Sequence, residues 1–150
     1  MAGSTTVTER QHVAEQSAQA LYGRDRASQA LGMRLAAVGP GSARVVMQVR
    51  ADMLNGHQVC HGGILFALAD SAFAFACNSY NDSTVAATGA IDFLMSAREG
   101  DELTAEAREL WRTRRNGIYE ITVSNQRGER VALFRGRSYR IDGQVTTLEE

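Results

Sequence analysis

Gly62-Gly63-Ile64-Leu65-Phe66-Ala67-Leu68-Ala69-Asp70-Ser71-Ala72-Phe73-Ala74-Phe75-Ala76-Cys77-Asn78-Ser79-Tyr80 is the stretch that decides how this chain folds. It carries one charge, Asp70. Ile64, Leu65, Phe66, Leu68, Phe73 and Phe75 fall nearly all round a helix of 3.6 residues per turn. A helix with no polar face has to be buried rather than laid on a surface. Its length approaches that of a membrane-spanning helix. Asp70 in its middle and five alanines argue against insertion.

Downstream the period of the pattern is two. Val85, Ala87, Gly89, Ile91 and Phe93 alternate, as do Leu103, Ala105, Ala107 and Trp111. Tyr119, Ile121 and Val123 form a third set, and Val131, Leu133, Tyr139 and Ile141 a fourth. These are strand patterns. Asn116-Gly117 reads as a two-residue hairpin turn. Gly100-Asp101 and Arg127-Gly128 read as the other turns.

Upstream, Ala43, Val45, Met47 and Val49 alternate with Arg44, Gln48 and Arg50. Pro40-Gly41 precedes them as a turn, with Met33–Val38 as the hairpin partner. Thr8 and Gln11 have capping-box spacing and predict the start of a first helix. Val13, Ser17, Ala20 and Leu21 share one of its faces. Gly23 is expected to interrupt it, Asp25–Leu31 to add a second turn, and Gly32 to cap the end. The order is helix, two strands, one very apolar helix, four strands. Tight turns imply an antiparallel sheet. A sheet wrapped around the apolar helix is the simplest way to bury that helix.

The 150 residues, 44% apolar and 22% charged, fit a single domain over 1–150, with residues 1–8 and 145–150 expected to be frayed. A net charge of −1 gives no global field for nucleic acid or an anionic membrane. All 16 basic residues are arginine. Genomic base composition accounts for this, with bidentate oxyanion binding as the alternative. Two cysteines, Cys60 and Cys77, and a polar N-terminus without a targeting signature point to a reducing cytoplasm.

The chemistry-bearing segment is Leu54-Asn55-Gly56-His57-Gln58-Val59-Cys60-His61-Gly62-Gly63. Two glycines opening a helix leave its first N–H groups uncovered, and the helix dipole favours negative charge there. An oxyanion developing on a carbonyl would be stabilised at that point. A tight turn or close packing is the plainer explanation of the glycines. Asp70 is either a structural aspartate bonded to backbone amides or a reactive carboxylate facing a wet cavity. His57 and His61 have the i, i+4 spacing of zinc ligands, but the flanking glycines predict a loop, so no metal is expected. Cys60 and His61 are adjacent and point apart, which disfavours a Cys-His nucleophile pair. Cys77 reads as a packing residue.

Asp70 lies about 12 Å beyond Gly62 along a helix axis. One helix cannot hold a carbonyl at Gly62 and attack it with its own Asp70. If both act on one substrate, they come from two subunits, and the protein is a homodimer with composite sites.

Asn55-Gly56-His57, His61-Gly62-Gly63, Leu68-Ala69-Asp70 and Ala74-Phe75-Ala76-Cys77-Asn78 resemble the PaaI-type thioesterases, hotdog-fold enzymes of phenylacetate degradation. Val131-Ala132-Leu133-Phe134-Arg135-Gly136 is similar too. The resemblance implies an α+β hotdog fold, an antiparallel sheet wrapped around a long central helix. It implies hydrolysis of acyl-CoA thioesters, with phenylacetyl-CoA and its ring-hydroxylated relatives as substrates. By that resemblance Gly62 polarises the thioester carbonyl, Asp70 is base or nucleophile, and Asn55 and His61 stand near the reacting group. It further implies association of dimers into a homotetramer. No cofactor is expected, since CoA is part of the substrate. Phe66, Phe73 and Phe75 are candidates to line an apolar pocket.

One departure stands out. Many relatives follow the third strand with Leu-Arg-Pro; here it reads Leu94-Met95-Ser96. Arg98, Arg112, Arg114 and Arg115 are the candidates to meet CoA phosphate instead. A non-catalytic acyl-CoA-binding module and a hotdog dehydratase are the alternatives; a dehydratase would need a catalytic histidine opposite Asp70.

Overall fold

The computed structural model describes residues 3–150. Two helices, α1 (Val7–Arg24) and α2 (Arg26–Ala30), precede the hairpin β1 (Arg34–Gly39) and β2 (Ser42–Gln48). A 3-10 turn, Ala51–Met53, leads through a loop to α3 (Gly62–Cys77). Four strands follow: β3 (Asp82–Phe93), β4 (Glu102–Arg112), β5 (Asn116–Ser124) and β6 (Arg130–Gln144). They form one antiparallel sheet in the order β1-β2-β4-β5-β6-β3. The fold is α+β, an antiparallel sheet around a central helix as the apolar helix and the tight turns led us to expect, and of the hotdog type that the resemblance implied.

The sheet presents Val45, Met47, Leu103, Ala105, Ile121, Val123, Ala132 and Phe134 to α3, all of them buried. From α3, Leu65, Leu68, Ala69, Ala72 and Phe73 pack against them. Alanines at these points let the helix lie close to the strands. Gly89 and Gly136 face each other across β3 and β6. A Cβ on Gly89 would stand 2.7 Å from the Phe134 ring, and one on Gly136 would stand 2.8 Å from Phe73. The two glycines make room for the aromatic pair that fills the core there.

Several boundaries differ from the sequence reading. The first helix is capped by Thr6, not Thr8: Thr6 Oγ1 accepts the Glu9 N–H, and the Glu9 carboxylate accepts the Thr6 N–H. Gln11 instead reaches across to the Val38 carbonyl at 2.7 Å. Gly23 does not interrupt α1; the break comes at Asp25, which caps α2. Asn116-Gly117 is not the hairpin turn. The chain reverses two residues earlier, at Arg114-Arg115, with Thr113 N–H donating to Asn116 O at 2.7 Å. Gly117 already sits in the ladder opposite Arg112. A side chain on it would meet Ser138 Oγ and the Tyr119 ring, both at 2.8 Å.

Parts of the chain ends expected to be frayed are held by hydrogen bonds. Thr6 is tied into its cap. Val145 is buried and donates to Asn81 O at 3.0 Å, and Asn81 pairs with the Thr146 backbone through its side chain. Glu149 N–H donates to Gln16 on α1. The first two residues of the expected frayed N-terminus lie outside the described residues.

The alternation expected along β3 breaks down. Slips in register between Asp82 and Thr84, and again between Ala86 and Thr88, turn Val85 to the same outer face as Tyr139. Being an edge strand, β3 is exposed along most of its length. Among the described residues no helix is long and apolar enough to cross a membrane.

Candidate active site

The loop before α3 is shaped by its own polar groups. Asn55 N–H donates to Val59 O at 2.8 Å, and Asn55 Oδ1 accepts from the N–H of His57 at 2.9 Å and of Val59 at 3.4 Å. Gln58 adopts a positive φ of 61° at the tip. Cys60 N–H donates to Ala97 O and His61 N–H to Met53 O, each at 2.8 Å. His57 and His61 therefore sit on a loop, as the glycines suggested.

A helix start leaves four N–H groups without helical partners. Here the His61 N–H goes to Met53 O, the Gly63 and Ile64 N–H groups find acceptors in His61, and Leu65 makes the first helical bond. His61 Nδ1 accepts the Gly63 N–H at 2.9 Å. His61 O accepts from Ile64 at 2.9 Å and from Leu65 at 3.2 Å. The Gly62 N–H has no acceptor among the described residues. Phe93 lies over it; a Cβ on Gly62 would stand 3.0 Å from the ring. Because Nδ1 accepts, the neutral His61 ring carries its proton on Nε2.

Asp70 lies two turns further along α3, half-buried, with no hydrogen-bond partner among the described residues. The structural alternative, a carboxylate held by backbone amides, is not what the fold contains. Asp70 opens instead into a cleft of about 340 Å³ with apolar walls from Leu21, Phe73, Val85 and Ala86. Burial pushes its carboxyl above the ordinary aspartate range, and the nearby charge of Asp25 pushes it in the same direction. Gly62 does not line this cleft. One chain does not bring Gly62 and Asp70 together.

Of the three phenylalanines, Phe73 alone reaches the cleft. Phe66 packs edge-on against Phe134, with ring centres 5.1 Å apart, and Phe75 packs against Tyr22. Cys77 is buried as expected but also forms one end of the cleft. Burial and Asp70 push its thiol up to about 12, and burial pushes Cys60 to about 11. Both stay protonated at neutral pH and are poor nucleophiles. Asp25 and Arg24 reach the cleft from the α1–α2 elbow. The sequence marks Asp25 only as a helix start. Its N-cap signature is visible in the chain; its place beside Asp70 is not.

The candidate arginines separate. Arg112, Arg114 and Arg115 gather with Arg140 around a second cleft, of about 440 Å³, which shares Cys77 and Thr84 with the first. Arg112 stacks on Tyr80 and pairs with Glu109 at 3.3 Å. Arg98 lies outside both clefts, in the turn where Asp101 accepts its N–H.

The thioesterase superfamily matches residues 57–132, a span that includes His61, Gly62, Asp70 and Phe93. The chain belongs to this superfamily. It is 49% identical over 135 residues to the acyl-coenzyme A thioesterase PaaI of Escherichia coli K12, covering 90% of this chain and 96% of that protein. The structure of the E. coli PaaI protein, from the phenylacetic acid degradation operon, superposes with a TM-score of 0.88 at 48% identity, over 89% of this chain and 97% of that one. A variant of the phenylacetic acid degradation protein PaaI from Thermus thermophilus superposes with a TM-score of 0.75 at 39% identity, over 78% and 100%. In this thioesterase the Gly62 N–H and the Asp70 carboxylate both lack a hydrogen-bond partner among the described residues.

Proposed function

We propose that this acyl-CoA thioesterase hydrolyses arylacetyl-CoA at sites shared between two subunits, with Asp70 from one and the amide of Gly62 from the other. The observation that carries the reading is a pair of open groups on one helix, two turns apart. Asp70 has a cleft and no partner; Gly62 has a bare N–H at the positive end of a helix. Two antiparallel copies of α3 would set each beside the other.

In that site the thioester carbonyl oxygen accepts from Gly62, and the charge it gains on attack is stabilised there. Asp70 either attacks the carbonyl carbon or takes a proton from the attacking water. In both cases water supplies the hydroxyl of the acid product and the proton of the CoA thiol. The raised pKa makes Asp70 a better proton acceptor than an ordinary aspartate. His61 positions the helix start, and Asn55 shapes the loop before it. No cofactor is required, and the CoA is substrate. An acyl-CoA substrate and two buried free cysteines suit the cytoplasm.

Exposed features of the sheet edge and of α3 support the dimer. The free edge of β3 exposes unpaired backbone groups, together with Val85, Phe93, Leu94 and Met95. Beside it on α3 runs a half-open stripe of Gly63, Ala67, Asp70 and Ala74. Small residues flanking the carboxylate permit close approach of a second helix. A further apolar patch, Trp111, Tyr139 and Ile141, is exposed on the sheet and suits pairing of dimers into a tetramer. The acyl group is tested by thiol release over a panel of acyl-CoAs. Arylacetyl-CoA should give the highest kcat/KM; a clear preference for long chains would remove the arylacetyl assignment.

A further inference from the structure

The Asp70 cleft holds a second carboxylate that the proposed reaction does not use. Asp25 stands at the elbow between α1 and α2, and both of its oxygens are engaged. Oδ1 accepts the Ser28 N–H at 3.0 Å, and Oδ2 accepts the Ser28 hydroxyl at 2.6 Å. The Ser28 hydroxyl lies 2.7 Å from that of Ser71, the residue after Asp70 on α3. The elbow is thereby tied to α3 next to the reacting carboxylate. Among the described residues no arginine stands within ion-pairing distance of Asp25.

We propose that Asp25, which shares the Asp70 cleft and is tied through Ser28 and Ser71 to α3, is a positioning residue for the reaction, whose charge acts through Asp70 without touching the thioester. The inference rests on Asp70 being the reacting group. A like charge in a partly desolvated cleft disfavours the second ionisation. Asp25 is the charged neighbour that acts on Asp70 in this way, after burial itself. The other groups facing Asp70 do not compete. From α1, the guanidinium of Arg24 is turned to Val145 O at 3.0 Å. From α3, Cys77 is a neutral thiol. From β3 come Thr84, Val85 and Ala86, all uncharged.

Asp25 also caps α2, and a cap alone would explain an aspartate there. Asparagine and serine cap equally well without the charge. That difference separates the two roles. Asp25→Asn and Asp25→Ser remove the charge and keep the cap; Asp25→Glu keeps the charge. Two readouts are taken on each intact protein. One is the acid limb of kcat/KM against pH, with the acyl-CoA that the native enzyme hydrolyses best. The other is the carbon-13 NMR titration of the Asp70 carboxyl, assigned with Asp70→Asn. The acid limb and the Asp70 midpoint should move to lower pH in the Asn and Ser variants and stay near native in the Glu variant. An Asp70 midpoint that stays put in folded Asn and Ser variants overturns the proposal. A midpoint that moves in a protein that cleaves no acyl-CoA supports the charge coupling and overturns the thioesterase reading.

Discussion

His61 Nδ1 accepts the Gly63 N–H at 2.9 Å, while the carbonyl of the same residue takes the next two amides of α3. His61 thus closes two of the four donors at the helix start, those of Gly63 and Ile64; its own N–H goes to Met53 O, and Gly62 is left open. The ring of His61 acts as an N-cap, a task more often done by serine, threonine, aspartate or asparagine.

This gives a way to separate capping from proton transfer at His61. His61→Ala removes the cap, frees a second N–H and should cost about 1 kcal/mol of stability. His61→Asn restores an acceptor but has no titratable ring. If His61 works by shaping the helix start, the Asn variant should keep clearly more turnover than the Ala variant. Equal loss in the two, measured by thiol release on folded protein, would make the ring itself part of the chemistry.

Asp70→Asn removes the negative charge and keeps the shape. Turnover should fall by about 10²-fold or more, as for loss of a base. Stability should move the other way. Because the folded-state pKa of Asp70 is raised, the folded protein binds the proton more tightly than the unfolded chain. The ionised carboxylate therefore weakens the fold once pH rises above the unfolded aspartate value. At neutral pH the Asn variant should melt at a higher temperature than the native protein. The difference should vanish as pH falls below the ordinary aspartate range. A variant less stable at neutral pH would mean that ionised Asp70 has a partner that supports the fold.

The central helix was legible because its apolar residues go all round, and a lone charge in such a pattern is conspicuous. The distance from Gly62 to Asp70 follows from helix rise alone. Local signals failed where two of them competed or where packing overrode them. Thr6 and Thr8 both have N-cap chemistry, and Thr6 wins because Glu9 reciprocates. Asn116-Gly117 looks like a turn, yet Gly117 is needed where Ser138 and Tyr119 crowd the strand. The alternation of β3 is broken by register slips that no periodicity announces. Asp25 comes to the Asp70 cleft only because α1 and α2 fold back over α3, so nothing local in the chain places it there.

Phe73 and Leu21 wall the cleft at Asp70, so their size should set the acyl preference. Leu21→Ala enlarges the wall on α1 without touching the sheet. It should raise kcat/KM for bulkier acyl groups relative to arylacetyl-CoA, by about tenfold for one or two methylenes of added room. An unchanged order of substrates would place the acyl group elsewhere.

The shared site makes the sharpest prediction. Gly62→Pro deletes the one bare N–H at the helix start. The first helical position tolerates proline, and His61 already has the extended backbone that a following proline requires, with φ −58° and ψ 133°. The proline Cβ would stand 3.0 Å from the Phe93 ring, which has to shift by a few tenths of an ångström; with that shift the variant should fold while losing about 10²-fold in turnover. Asp70→Asn is inactive for a different reason. If each site takes Gly62 from one subunit and Asp70 from the other, a heterodimer of these two variants has one site with both lesions and one with neither. Co-expression with two affinity tags isolates that species. It should recover activity toward half that of the native dimer, while each homodimer stays inactive. Purified heterodimers that remain inactive, with both chains folded, would show that Gly62 and Asp70 do not meet across subunits.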